Sequence, residues 1–228
     1  MTYQLFYGHP SYSSWSLRAW LLFEKFDLPR KDVLVDIYEG GKARDLAPVA
    51  PATTVPVIKC PDGTVVGDSL AIAETLHERH PDAGLWPKAP SERALARWVT
   101  AEMHSGFTAL RGACPMVLTH QITDFEPSDA VIADMKRIET LWSLCKSLAS
   151  QATEGPWLFG AYSIADAFYA PVAMRIAGYG LAVSPDAAAY VAAHLGDPAV
   201  MKWRSLGLAS PINPPPYNVP GTKGPWPV

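Results

Sequence analysis

Thr54-Val55-Pro56-Val57-Ile58 constrains this chain more than any other stretch. A proline inside a Val/Ile run has no N–H for a sheet ladder, so it does not belong in the middle of a central strand. Just before the strand it fits a tight corner, most simply as a cis-proline. Such a corner frees the backbone N–H and C=O of Val55 to pair outside the sheet. Shortly after, Gly67-Asp68-Ser69 opens a helix-like run and supplies a carboxylate, a hydroxyl and free N–H groups. A strand edge beside a helix start suits a small extended peptide with an acidic end.

The rest of the chain fits around this pair of features. Tyr3 to Tyr7 reads as a strand, and Leu17, Trp20 and Leu21 recur at helical spacing until Asp27-Leu28-Pro29. Val33-Leu34-Val35 reads as a second strand. Val57-Ile58 and Val65-Val66, separated by Pro61-Asp62-Gly63, read as a hairpin. The helix after Asp68 runs to about His80, where Pro81 stops it. The order is β-α-β-(α)-β-β-α. From Ser91 onward the pattern is helical. Leu95, Trp98, Val99, Met103, Phe107 and Leu110 form one long apolar stripe, and Val131, Met135, Ile138, Leu141 and Trp142 form another. The segment 82–90, with Gly84, Pro87 and Pro90, is the expected linker. This divides the chain into residues 1–82, a helical part over 91–210, and a proline-rich, extended tail over 211–228.

Composition excludes several functions. With 228 residues, 49% hydrophobic and 18% charged, the chain suits a compact globular protein with real cores. A net charge of −3 offers no basic field for nucleic acid or anionic membrane. No apolar run approaches membrane-spanning length. Cys60, Cys114 and Cys145 are odd in number and far apart, which points to reduced thiols and a cytoplasmic setting. The N-terminus lacks the basic and apolar regions of a signal peptide.

Ser13-Ser14-Trp15-Ser16-Leu17-Arg18 precedes the first helix, where free N–H groups and the helix dipole favour an anion. No His or Lys pairs with these serines to make a nucleophile, but a hydroxyl there can donate to a ligand's thiolate. A thiol pKa of roughly 8.5 falls in such a place. The plainer reading makes the serines N-caps. Ser163-Ile164-Ala165-Asp166 fits a capping box of structural role. His77 and His80 are read as cations at a helix C-terminus, and no metal is expected. His104, Thr108 and Arg111 share one face of the long predicted helix. They either line a pocket for an acidic or electrophilic substrate or form a solvated face.

In the order and separation of the serine helix start, Thr54–Ile58, Asp68-Ser69 and the Ser163–Asp166 box, the chain resembles the soluble glutathione S-transferases over about residues 1–208. The resemblance implies a thioredoxin-like N-terminal domain, an all-helical C-terminal domain, a homodimer and glutathione as cosubstrate. It makes Ser13 the residue that stabilises the glutathione thiolate, with Ser14 second. Val55 would pair with the cysteinyl part, Pro56 would be the cis-proline, and Asp68 and Ser69 would hold the γ-glutamyl end. The helix start is most similar to the zeta class, with Trp15 in place of a cysteine. Trp15, His104, Thr108 and Arg111 would form the substrate pocket, with Arg18 taken up by packing. The bulk of Trp15 favours conjugation of a hydrophobic electrophile. The alternatives are a glutathione-dependent cis–trans isomerase of maleylacetoacetate or maleylpyruvate type, and a non-catalytic binding protein of the same fold. The tail lies outside the family pattern.

Overall fold

The computed structural model describes residues 2–149 and 155–227. Met1, residues 150–154 and Val228 lie outside the described residues, and with them the outer ends of the 1–82 and 211–228 segments. A thioredoxin-like half comes first: β1 (Tyr3–Tyr7), α1 (Ser14–Lys25), β2 (Arg30–Leu34), α2 (Lys42–Leu46), β3 (Val57–Lys59), β4 (Val65–Gly67) and α3 (Ser69–Arg79). The sheet runs β2-β1-β3-β4. β1 and β2 are parallel, with Leu5 opposite Asp32. β3 is antiparallel to both neighbours, with Ile58 between Leu5 and Val66. β2 starts three residues earlier than the apolar run Val33–Val35, because its pairing with β1 extends into the charged Arg30-Lys31-Asp32.

Alternation along β1 divides the core. Phe6 faces one side with Val35, Leu46, Val49 and Val57. Leu5 and Tyr7 face the other, where Leu17, Trp20, Leu21 and Ile72 of α1 and α3 continue into the helical half. The two halves therefore share one large core.

The helical half comprises α4 (Pro90–Ser105), α5 (Thr108–Ala113), α6 (Asp129–Leu148), α7 (Ile164–Tyr179), α8 (Pro185–Leu195) and α9 (Pro198–Ala209). A short β5 (Gln121–Ile122) lies between α5 and α6. One expectation fails here. The stripe from Leu95 to Leu110 is not one helix. Gly106 caps α4, and Phe107 takes a left-handed conformation with φ of 56° before α5 begins. A Cβ on Gly106 would lie 2.7 Å from the Glu102 carbonyl oxygen, so the break is built around glycine. His104 thus stands on α4, while Thr108 and Arg111 stand on α5. Phe107 is buried, which removes it from any surface offered to a partner.

α7 is buried along its whole length, and α1 and α4 pack against it. Its capping box is complete. Asp166 accepts from the Ser163 N–H (2.9 Å), the Ser163 hydroxyl (3.0 Å), the Leu158 N–H (3.0 Å) and the Tyr190 hydroxyl (2.9 Å). The proline-rich tail is not purely extended. It makes a 3-10 turn at Pro215–Tyr217, and β6 (Lys223–Gly224) pairs antiparallel with β5. Among the described residues, no helix is long and apolar enough to cross a membrane.

Candidate functional site

A cleft of about 990 Å³ lies between the β1–α1 and α5 regions. Every residue that the sequence singles out for a site lines it: Ser13, Ser14, Trp15, Val55, Pro56, Asp68, Ser69, His104, Thr108 and Arg111. The broken helix still brings His104, Thr108 and Arg111 to one wall.

The thioredoxin-like wall offers backbone and hydroxyl groups. The Val55–Pro56 peptide is cis, directly before β3. Among the described residues, Val55 has no backbone hydrogen-bond partner in the sheet or the turns, which leaves its N–H and C=O open at the cleft. Asp68 has φ of 67° and caps α3, its Oδ1 accepting from the N–H groups of Leu70 (2.7 Å) and Ala71 (3.2 Å). Ser69 is buried, and its hydroxyl has no partner among the described residues. A buried hydroxyl without a partner carries a desolvation cost on the order of 1–3 kcal/mol unless a ligand supplies one.

The two serines of the helix start differ. Ser13 is the N-cap of α1: its Oγ accepts from the Ser16 N–H (3.3 Å) and donates to the Ser16 hydroxyl (2.8 Å). Ser16 in turn accepts from the Gly8 N–H. A Cβ on Gly8 would lie 3.2 Å from Ser13 Oγ, tighter than ordinary contact, so glycine keeps the turn close. Ser14 accepts from Arg175 Nη2 at 3.3 Å, which leaves its proton for another acceptor. Ser13 thus spends its hydroxyl inside the cap, while Ser14 presents a polarised one.

The opposite side is cationic. Two guanidiniums lie against the Trp15 ring, Arg18 at 4.3 Å and Arg111 at 4.5 Å from its centroid. Arg18 does pack as the sequence suggests, over Trp15 and Phe168, but its Nε and Nη1 have no hydrogen-bond partner among the described residues. Burial, then Arg175 and Arg111, push the Arg18 pKa well down. Arg175 donates to the carbonyls of Cys114 and Pro171; burial first and Arg111 second lower its pKa to about 10. Among the described residues that line the cleft, Arg111, Arg175 and Lys42 are the cations and Asp68 is the one carboxylate, while Arg18 lies buried behind Trp15. Asp68 also faces His104 Nε2 at 3.2 Å. Burial lowers the His104 pKa, with Asp68 opposing and Arg18 and Arg111 adding to the shift.

The sequence alone did not single out Arg175 or the tyrosines Tyr12, Tyr38 and Tyr217 that also line the cleft. Arg175 left one signal: it is the single cation in a helix whose one other charge is the capping-box Asp166. The tyrosines left none, because only the fold brings residues 12, 38 and 217 together.

Residues 12–79 match the family model "Glutathione S-transferase, N-terminal domain". A probable maleylacetoacetate isomerase of Caenorhabditis elegans is 38% identical over 97 residues, 42% of this chain and 44% of that protein. A maleylacetoacetate isomerase of Dictyostelium discoideum is 36% identical over 86 residues, 37% of this chain and 38% of that protein. The matches therefore span less than half the length of these relatives. Among solved structures, a glutathione transferase homologue from Burkholderia with bound glutathione superposes with a TM-score of 0.67 at 23% identity, covering 92% of this chain and all of that one. Ure2p in complex with glutathione gives 0.62 at 17% identity, covering 90% and 93%.

Proposed function

We propose that this chain, which has the glutathione S-transferase fold and carries that family's N-terminal domain, is a glutathione-dependent cis–trans isomerase of a small acidic enone. The observation that carries the choice is the guanidinium cluster around Ser14 and Trp15, opposed by Asp68 alone among the carboxylates lining the cleft. Like charges at this spacing repel, and an anionic ligand relieves that cost. The isomerase names of the curated relatives point the same way. A neutral aromatic electrophile would leave the cluster uncompensated. Conjugation, which the bulk of Trp15 favours on sequence alone, becomes the second reading: in the fold that ring carries two arginines against it.

The residues fit glutathione. Val55 offers its backbone to the cysteinyl part, the buried Ser69 hydroxyl suits the γ-glutamyl carboxylate, and Asp68 suits the ammonium. Bound glutathione would supply a thiolate that adds to and then leaves the activated double bond. Ser14 donates to the sulphur while Arg175 holds its oxygen, and Ser13 is the alternative donor. Arg175 and Arg111 hold the substrate carboxylate and the oxygen that gains charge, and Arg18 adds its charge from behind Trp15. His104 and Thr108 complete the wall.

A homodimer in a cytoplasmic setting fits this reading. Trp98 is 51% exposed on α4, a large ring for a partner to cover, and Cys60, Cys114 and Cys145 are all free and buried. Light scattering giving only the monomer mass at micromolar concentration would remove the dimer.

The activity is tested by measuring maleylacetoacetate or maleylpyruvate isomerisation beside conjugation of an aromatic halide, both with reduced glutathione. Isomerisation should be the faster by about tenfold or more. Conjugation without isomerisation would return the assignment to a transferase.

A further inference from the structure

The tail has no place in the reading above, yet its ends are tied down and its middle reaches the cleft. One tie is beside the serine helix start: His9 Nε2 and the Ser210 carbonyl lie 2.6 Å apart, and the Tyr12 hydroxyl donates to the Ile212 carbonyl at 2.6 Å. The other is beside β5. Asp124 accepts from both the N–H and the hydroxyl of Thr222 at 2.7 Å, and β6 pairs with β5. Between the ties, Pro214, Pro215 and Pro216 stiffen a 3-10 turn that delivers Tyr217. Its ring packs tilted against Tyr12 at 4.7 Å and 35°, and meets Tyr38 edge-on at 5.8 Å and 86°. Tyr217 lines the same cleft as Ser13, Ser14 and Arg175, and its phenol contributes to the electrostatics at Arg175.

We infer that the tail is a fixed strap and that Tyr217 is a specificity-determining residue: its ring closes the Tyr12–Tyr38 end of the cleft and limits the cleft to short, acidic ligands. This rests on the isomerase reading for the ligand class, but the wall itself does not. A strap held at two points keeps the ring in place without ligand. Prolines limit the freedom that the tail would otherwise recover on release. Two consequences follow. Removing the ring opens the cleft to bulky aromatic ligands. Loosening the distant tie at Asp124, which is not a cleft-lining residue, does the same to a smaller extent.

The probe is 8-anilinonaphthalene-1-sulfonate, an anionic bulky aromatic read by fluorescence without glutathione or turnover. Tyr217→Ala should tighten its binding by about five- to tenfold, Asp124→Ala by about two- to threefold, and Tyr217→Phe, which keeps the ring, by less than about twofold. Unchanged or weaker binding in Tyr217→Ala would overturn the wall. A shift in Tyr217→Ala with none in Asp124→Ala would overturn the strap. Calorimetry with reduced glutathione on the same proteins separates the two proposals. Wild type that gives no heat would sink the glutathione reading, while the dye series would still decide the strap.

Discussion

Asp166 and Arg18 are both buried charges, and their surroundings are opposite. Asp166 receives four hydrogen bonds from the protein, which oppose the upward push of burial on its carboxyl. Arg18 packs over two aromatic rings, leaves two nitrogens without partners and faces two further guanidiniums. A buried charge completed by its own chain is part of the fold. One left incomplete beside a large cleft points to a ligand. The contrast separates the structural box at the head of α7 from the arginines beside the cleft, although Arg175 belongs to the same helix as the box.

Four changes break or sharpen that contrast. The largest is Asp166→Ala, which strands the donors of Ser163, Leu158 and Tyr190. It should cost about 3–5 kcal/mol and leave little folded protein, read by chemical denaturation. Whatever folds should keep its activity per molecule; selective loss of activity without loss of stability would put Asp166 in the site. Next is Ser14→Ala, which should lower turnover by a factor on the order of 10 to 1,000 with little change in glutathione affinity. Full activity in Ser14→Ala together with a dead Ser13→Ala would return the thiolate to the N-cap residue.

Acid provides the third. His194 is buried among Trp157, Tyr162 and Tyr190 with neither ring nitrogen hydrogen-bonded among the described residues. Burial, and then Lys25, lower its pKa to about 3. Between about pH 6.5 and 3 the unfolded chain binds this proton and the folded chain does not, so stability falls as pH falls. The loss from pH 7 to 5 should be about 2 kcal/mol by denaturant titration. A slope that survives in His194→Phe would assign it elsewhere. The smallest effect belongs to Arg18→Met. Removing an unpaired buried charge should leave the melting temperature unchanged or raise stability by about 1 kcal/mol, while weakening use of an acidic substrate. Marked destabilisation would make Arg18 structural and erase the contrast.

Local rules made much of this legible in the sequence. Pro56 within a Val/Ile run marked the cis corner, Asp68 marked a helix start, and Ser163 with Asp166 marked a capping box, because each depends on residues close in the chain. Gly106-Phe107 was not legible as a break, because the apolar spacing continues through it while the backbone leaves the helix. Arg175 was hidden for a different reason. Its role depends on α7 packing against α1, which brings it to Ser14 from 161 residues away. The tail's contact with Tyr12 is likewise a product of the whole fold.

The proposed preference for an anionic ligand on the guanidinium side is tested most directly by titrating maleate into protein saturated with S-methylglutathione, which cannot react. Saturable heat at one site per chain, weakened by high salt, is the expected result. No heat with maleate, alongside binding of a neutral aromatic of similar size, would contradict it.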